Sequence, residues 1–287
     1  MRNSSPLRYP GGKWRFTTFF TEFIAQNFIA PPLYIEPYAG GAGLALSLLF
    51  DKKVSGIWLN DLDPAIHACW HSMIYDSELF CEVLSRIPVT LEEWRRQKEI
   101  YAKGLESGTF ALGFSTFFLN RTNHSGILNG GVIGGKEQRG SWKIDARFNR
   151  TDLIKRIQRI AEHRRDIKLT CLDAEVLIKS LRPASKCLVY LDPPYVAAGK
   201  ALYMNAYGES DHASVKAAVG RLKRKWIVSY DDVPLVRKLY RPYRVRPMEL
   251  LHTAREAKVG SEVLFFSIDC VIPRAAKAGA STIDRRA

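Results

Sequence analysis

The residues Leu188-Val-Tyr-Leu-Asp192-Pro193-Pro194-Tyr195 join an apolar run to a rigid polar corner. Two consecutive prolines remove two backbone N–H donors and forbid helix continuation, so an aspartate, two carbonyls and an aromatic ring are presented stiffly where a strand leaves its sheet. Those groups suit an aromatic amine. Asp192 and a proline carbonyl can accept both hydrogens of an exocyclic NH₂, while Tyr195 stacks on the flat ring that carries it. An amine held in this way has its lone pair drawn out of conjugation and can attack an electrophilic methyl group directly, with no metal and no covalent enzyme intermediate. The competing account is a turn that merely closes a strand.

Upstream, Leu33-Tyr-Ile-Glu-Pro-Tyr-Ala-Gly-Gly-Ala-Gly43 starts as a short apolar strand, turns through three glycines and runs into the helical stretch Leu44–Phe50. Such a turn lets the backbone approach a ligand beside a helix N-terminus. It does not match G-x-G-x-x-G, and a glycine turn that only starts a helix would look the same. Asp61 adds information. It ends the next strand, roughly 20 residues after the glycines, where a carboxylate can accept hydrogen bonds from a ribose. A nucleoside-containing cofactor is the inference. At the N-terminus, Arg8-Tyr9-Pro10-Gly11-Gly12-Lys13 sets an aromatic, a turn and a lysine before an amphipathic helix.

These residues need a scaffold. Leu33–Glu36 and Gly56–Asp61, with the helix Pro64–Tyr75, make a β-α-β unit. Further strand-length apolar runs occur at Ile167–Leu172, Cys187–Leu191, Trp226–Tyr230, Tyr243–Leu250 and Glu262–Ile268, about seven strands in all. Helical patterns separate several of them: Asp152–Arg165, Ala174–Leu181 and Ser210–Lys223, with Ser210 expected as an N-cap. Alternation of this kind predicts an α/β fold with an open, mostly parallel sheet. Strand signals stop between Asp61 and Ile167. There Leu91–Lys103 and Ala111–Leu119 read as helices, and Arg121–Gly140 is a loop rich in Asn, Gly, Ser and Thr. The expectation is a sheet domain made of residues 1–62 and 161–287, interrupted by a mostly helical insertion at 63–160. The tail Ala275–Ala287 is expected to fray.

The whole chain of 287 residues carries 43 Lys+Arg against 29 Asp+Glu, a net charge of +14. At 46% hydrophobic and 25% charged it can bury a full core, which excludes disordered and low-complexity classes. Charge alone leaves nucleic acid, an anionic membrane or a plain basic surface open. No apolar run reaches the ~20 residues of a membrane span, and the first residues lack a signal-peptide core. A soluble, intracellular protein is expected. Cys69, Cys81, Cys171, Cys187 and Cys270 are scattered without a C-x-x-C pair and read as reduced packing residues.

Taken in order, the aromatic-x-Gly-Gly-Lys start, the Glu36-Pro37-Tyr-x-Gly40-Gly-x-Gly43 loop, Asn60-Asp61, Asn120-Arg121 and Asp192-Pro-Pro-Tyr195 resemble the Dam-type DNA adenine N6-methyltransferases, over about residues 8 to 270. The resemblance implies a Rossmann-like methyltransferase sheet with a target-recognition insertion. It also implies S-adenosyl-L-methionine as cofactor, double-stranded DNA as partner, and a cytoplasmic, DNA-associated location with no membrane and no obligate protein partner. On this likeness Tyr9 would pack on the cofactor adenine and Lys13 would touch the cofactor. Glu36 through Gly43 would surround its methionine part, with Asp61 on the ribose and Asp173 near the adenine. Asp192 is counted with the catalytic residues and with the cofactor set. Arg8, Asn120, Arg121, Asn123, His124 and Ser125 would contact DNA, His124 standing where the family often places an aromatic wedge. Other acceptors share Pro-Pro-Tyr sites, so cytosine N4, RNA adenine, a protein amide and a catalytically silent DNA-binding homologue stay open.

Overall fold

The computed structural model describes residues 4–9, 12–181, 186–196, 207–252 and 258–274. Pro10 and Gly11 of the N-terminal turn and the tail from 275 lie outside them. A 3₁₀ turn at Lys13–Phe16 leads into α1 (Thr17–Asn27). The chain continues through β1 (Leu33–Glu36), α2 (Gly43–Phe50), β2 (Gly56–Asn60) and α3 (Pro64–Tyr75). Next come α4 (Ser77–Arg86), α5 (Leu91–Ala102), α6 (Thr109–Thr122) and α7 (Arg150–Glu162). The remaining elements are β3 (Ile167–Thr170), α8 (Ala174–Ser180), β4 (Cys187–Leu191), α9 (Glu209–Gly220), β5 (Lys225–Asp231), α10 (Pro234–Leu239), β6 (Arg244–His252) and β7 (Lys258–Phe266).

The seven strands form one sheet in the order β3-β2-β1-β4-β5-β7-β6, parallel except for β7, which runs antiparallel to both of its neighbours. The chain leaves β1 toward β2 on one side and returns as β4 on the other, pairing Leu33 with Cys187 and Ile35 with Val189. This reversal opens a crevice beyond the carboxyl ends of β1 and β4, where ligands bind in open α/β sheets. Glu36 ends β1 and Asp192 follows β4, so the topology alone brings the glycine loop and the Asp-Pro-Pro-Tyr corner together.

Strand alternation supplies two cores. Tyr34 points into a cluster with Phe20, Leu44 and Leu48, while its neighbour Ile35 joins Trp58, Val219 and Trp226 on the opposite face. Covering both faces explains why the strands read as nearly continuous apolar runs. The first core continues without a break into the helical region through Phe80, Phe114, Phe117, Leu153 and Ile157. Gly113 lets α6 cross α3 at backbone distance, since a Cβ there would stand 2.3 Å from the Ala68 carbonyl oxygen.

Several boundaries differ from the sequence reading. α4 and α10 were not expected. α9 begins at Glu209 with Gly208, and not Ser210, at its N-cap, because Asp211 accepts the Gly208 N–H at 2.8 Å and starts the helix earlier. β3 stops at Thr170 because Asn60 captures the chain beyond it, its amide oxygen accepting from the Leu172 N–H at 3.0 Å and its amide nitrogen donating to the Leu172 carbonyl at 2.8 Å. All five cysteines are free, and Cys171 is exposed and not packed inside. Among the described residues no helix is long and apolar enough to cross a membrane, and no three His, Cys, Asp or Glu side chains are grouped to hold a metal ion.

Candidate active site

At the crevice, Glu36 is 4% exposed and accepts the Tyr34 hydroxyl at 3.0 Å. Burial pushes its pKa up to about 8, and the nearby Asp192 charge adds to this against the opposing hydrogen bonds from Tyr34 and the Ala45 N–H. The loop beyond Glu36 turns sharply. Gly40 and Ala42 both have φ of 45°, and a Cβ on Gly40 would lie 2.7 Å from the Tyr9 ring, so the glycine backbone packs flat against that aromatic. The turn is pinned from below: the Gly40 N–H donates to Asp61 Oδ2 at 2.8 Å, the Trp70 indole donates to the Gly40 carbonyl at 2.8 Å, and the Asn60 amide donates to the Pro37 carbonyl at 3.0 Å. Gly43 opens α2. Asp61 also accepts the Asp63 N–H at 3.0 Å, and burial raises its pKa to about 6 despite those two bonds.

The Asp192 carboxylate is gripped at both oxygens. Ser229 on β5 donates to Oδ1 at 2.6 Å and Lys13 lies 3.0 Å from Oδ2. The Ser229 hydroxyl is in turn 2.8 Å from Tyr190, so with Ser229 donating to Asp192 the tyrosine must donate to Ser229. Lys13 donates to the Tyr195 hydroxyl at 2.7 Å and pairs with Glu262 on β7 at 3.3 Å. Burial disfavours the ammonium, but Asp192 and Glu262 outweigh it and hold the Lys13 pKa above its ordinary value. Pro193 and Pro194 are buried, and beyond Tyr195 the Val196 N–H is tied to Asp231 at 3.1 Å. A cleft runs past Tyr9, Lys13, Trp14, Glu36, Tyr38, Gly41, Tyr190 and Asp192.

The structure thus brings Tyr9, Lys13, Glu36, the glycine turn, Asp61, Asp192 and Tyr195 to one crevice. Asp173 follows β3, with Tyr38 of the cleft among its neighbours. It caps α8, accepting from the N–H groups of Glu175 at 2.9 Å and Val176 at 3.2 Å. Of the segment 120–125, Asn120 and Asn123 are buried and spend their amides inside. Asn120 bonds the backbone of Arg8 in both directions at 2.7 Å, and Asn123 accepts the Trp94 indole at 2.7 Å while donating to Ile127 and Leu128. His124 is exposed, and Ser125 takes a left-handed conformation with φ of 56°. Arg8 donates to the Asn123 carbonyl at 3.0 Å, and Arg121 donates to the carbonyls of Pro6 and Arg147. Burial, with Arg8, Arg156 and Arg147 crowded around it, pushes the Arg121 pKa down to about 9. Sequence reasoning missed Ser229 and Glu262, single polar residues inside apolar strands that carry no motif.

An open sheet of this order, with a glycine turn and an Asp-Pro-Pro-Tyr corner meeting at its switch point, defines the class as a methyltransferase of α/β architecture. The profile of the D12 class N6 adenine-specific DNA methyltransferases matches residues 9–253, and the chain belongs to that family. It is 23% identical over 221 residues to the Type II methyltransferase M.MjaIII of Methanocaldococcus jannaschii, covering 71% of this chain and 73% of that protein. Among solved structures it is similar to the rRNA methyltransferase aviRa of Streptomyces viridochromogenes, at 13% identity and a TM-score of 0.39, covering 90% of this chain and 85% of that one. Membership makes DNA the substrate class and methyl transfer to adenine N6 the reaction.

Proposed function

We propose that the chain moves a methyl group from S-adenosyl-L-methionine straight to the N6 of an adenine flipped out of duplex DNA. The observation that carries this reading is the charge balance of the crevice, where among the described residues Asp192 and Glu262 pair with the ammonium of Lys13 and a third carboxyl group, Glu36, lies nearby. A buried site with these carboxyl groups fits a cationic ligand, whose charge would offset the burial that, with Asp192, holds the Glu36 pKa high. When bound, S-adenosyl-L-methionine supplies the electrophilic methyl group. Glu36 through Gly43 would surround its charged end, and Asp61, whose oxygens each keep a lone pair, would accept from its ribose. Tyr9 and Asp173 fall to the adenine end.

Asp192 would orient the target amine. Ser229 and Lys13 each use one lone pair of its two oxygens, leaving one on each for the N6 hydrogens. Its negative charge favours the positive charge that develops on the amine, and it is placed to hold the proton the amine gives up. Pro193 and Pro194 stiffen the corner, and Tyr195, fixed by Lys13, offers its ring to the base. Flipping the base costs about a few kcal/mol. The exposed His124, followed by Ser125 in a tight turn, is the candidate wedge for the vacated stack. The group Arg8, Arg121, Arg147 and Arg156 suits a phosphate backbone, whose charge would relieve the mutual repulsion that adds to burial in lowering Arg121. Asn120 and Asn123 would serve this surface by holding the loop that displays it.

Modification-sensitive sequencing of DNA from cells expressing the protein tests the reading. Methylated adenine in a defined sequence context is expected. Modified cytosine, or unmodified DNA from cells containing folded protein, would overturn it.

A further inference from the structure

Glu262 occupies a position where a strand of this sheet would ordinarily carry an apolar side chain. It lies across the ladder from Asp231 on β5 and Met248 on β6, precedes the buried Val263, Leu264, Phe265 and Phe266, and is itself 1% exposed. Its Oε1 is 3.3 Å from Lys13 Nζ, and the Tyr195 hydroxyl is its second hydrogen-bonding neighbour. An ionised carboxylate in such a place is costly unless it is paired, so its contribution runs through Lys13 and, beside it, the Tyr195 hydroxyl.

Lys13 also touches Asp192 at 3.0 Å and Tyr195 at 2.7 Å, so one ammonium meets both functional side chains of the Asp-Pro-Pro-Tyr corner, with Glu262 on a third side. Without Glu262 more of the charge of Lys13 would fall on Asp192 and weaken it as an acceptor. We infer that Glu262 is a positioning residue for the transfer, holding Lys13 between Asp192 and Tyr195 and sharing its charge so that Asp192 keeps its strength toward the target amine. The inference rests on the transfer reading above. Lys13 faces Glu262 from the N-terminal turn, Asp192 and Tyr195 face it from beyond β4, and Asp231 is its ladder neighbour on β5. Burial raises the Glu262 pKa to about 7, with Lys13 opposing the rise and Asp192 adding to it. Below that pH its proton removes the charge that grips Lys13.

The test uses the full chain, duplex DNA and radiolabelled S-adenosyl-L-methionine, comparing wild type with Glu262→Gln and Glu262→Asp. Expected for Glu262→Gln is a loss of about tenfold or more in kcat, with DNA KM and cofactor Kd changed less than about twofold. Its kcat should be flat where the wild type declines on acidification through about pH 7, and Glu262→Asp, which keeps the charge, should recover most of the loss. A readout independent of turnover is the carboxyl ¹³C titration of Glu262 in cofactor-free protein, which Lys13→Met should move upward. If Glu262→Gln does not fold, coincidence of that titration with the acid limb of wild-type kcat/KM for the cofactor, which reports the free protein, supports the inference, and a mismatch overturns it. Wild-type kcat in folded Glu262→Gln overturns it alone. A wild type that binds cofactor but methylates no DNA defeats the transfer reading and this inference with it.

Discussion

Lys13, from the N-terminal turn, stands 3.0 Å from Asp192, at the far end of β4. The contact closes the crevice between the glycine loop and the Asp-Pro-Pro-Tyr corner. It also means that Asp192 is not a free carboxylate awaiting substrate but one already oriented from two sides, by Lys13 and by Ser229.

Asp192→Ala removes the acceptor while leaving Lys13 its pairing with Glu262, so the fold should survive. Transfer should fall by about three orders of magnitude, the scale of losing one well-placed electrostatic group in an active site. Single-turnover rates on duplex DNA, beside an unchanged circular dichroism spectrum, check this.

Tyr195 has two separable parts, a ring for the base and a hydroxyl that receives Lys13 at 2.7 Å. Tyr195→Phe should keep DNA KM near wild type and lower kcat by a few-fold, the scale of one modest hydrogen bond. Tyr195→Ala should raise DNA KM as well. Equal KM effects for both variants would show that stacking is not the role of the ring.

Ser229→Ala strips Asp192 Oδ1 of its donor and leaves the Tyr190 hydroxyl without its acceptor. A hydrogen bond to a charged group is worth about 1.5–3 kcal/mol, so a drop of roughly tenfold or more in kcat is expected with cofactor affinity maintained. Steady-state kinetics and a cofactor titration separate the two.

Glu36, with its pKa raised to about 8, should couple cofactor binding to pH. A bound cation favours the carboxylate, so binding releases a proton at neutral pH, and affinity rises with pH until it levels off above about 8. The sign for stability is opposite. A raised carboxyl pKa favours the folded state at acid pH, and that contribution is lost as pH rises from the unfolded value through about 8. Calorimetry in buffers of different ionisation enthalpy should find the released proton with S-adenosyl-L-methionine, fewer with the uncharged thioether product, and none in Glu36→Gln.

Gly113→Ala should destabilise the helical region without touching the crevice. The added methyl would meet the Ala68 carbonyl at 2.3 Å and force α3 and α6 apart, a cost of about 1–3 kcal/mol. Chemical denaturation gives the value.

Much of this fold is readable from composition and period. The apolar strands lie close to where alternation with helices puts them, because a sheet covered on both faces leaves little choice of residue. Strand order is not readable that way, since it depends on contacts distant in sequence. α4 escapes the same reading because it follows α3 directly at Asp76, with no loop to mark a new element. Within the site, Asp192 and Tyr195 declare themselves through the prolines between them. Ser229 and Glu262 do not, because a lone polar residue in an apolar strand gains meaning only from what the sheet sets beside it. Asn120 and Asn123 show the converse. Their types suit DNA, yet both amides are hydrogen-bonded inside the protein, Asn120 to Arg8 and Gly126 and Asn123 to Trp94, Ile127 and Leu128, and only the folded chain reveals where those bonds go.

The most direct test of adenine N6 transfer at Asp192 is nucleoside analysis of duplex DNA incubated with purified protein and methyl-labelled S-adenosyl-L-methionine, run in parallel with Asp192→Ala. Label is expected in N6-methyldeoxyadenosine with the wild type, and about a thousandfold less of it with the variant over the same time. Label in another nucleoside, or equal labelling by both proteins, would contradict it.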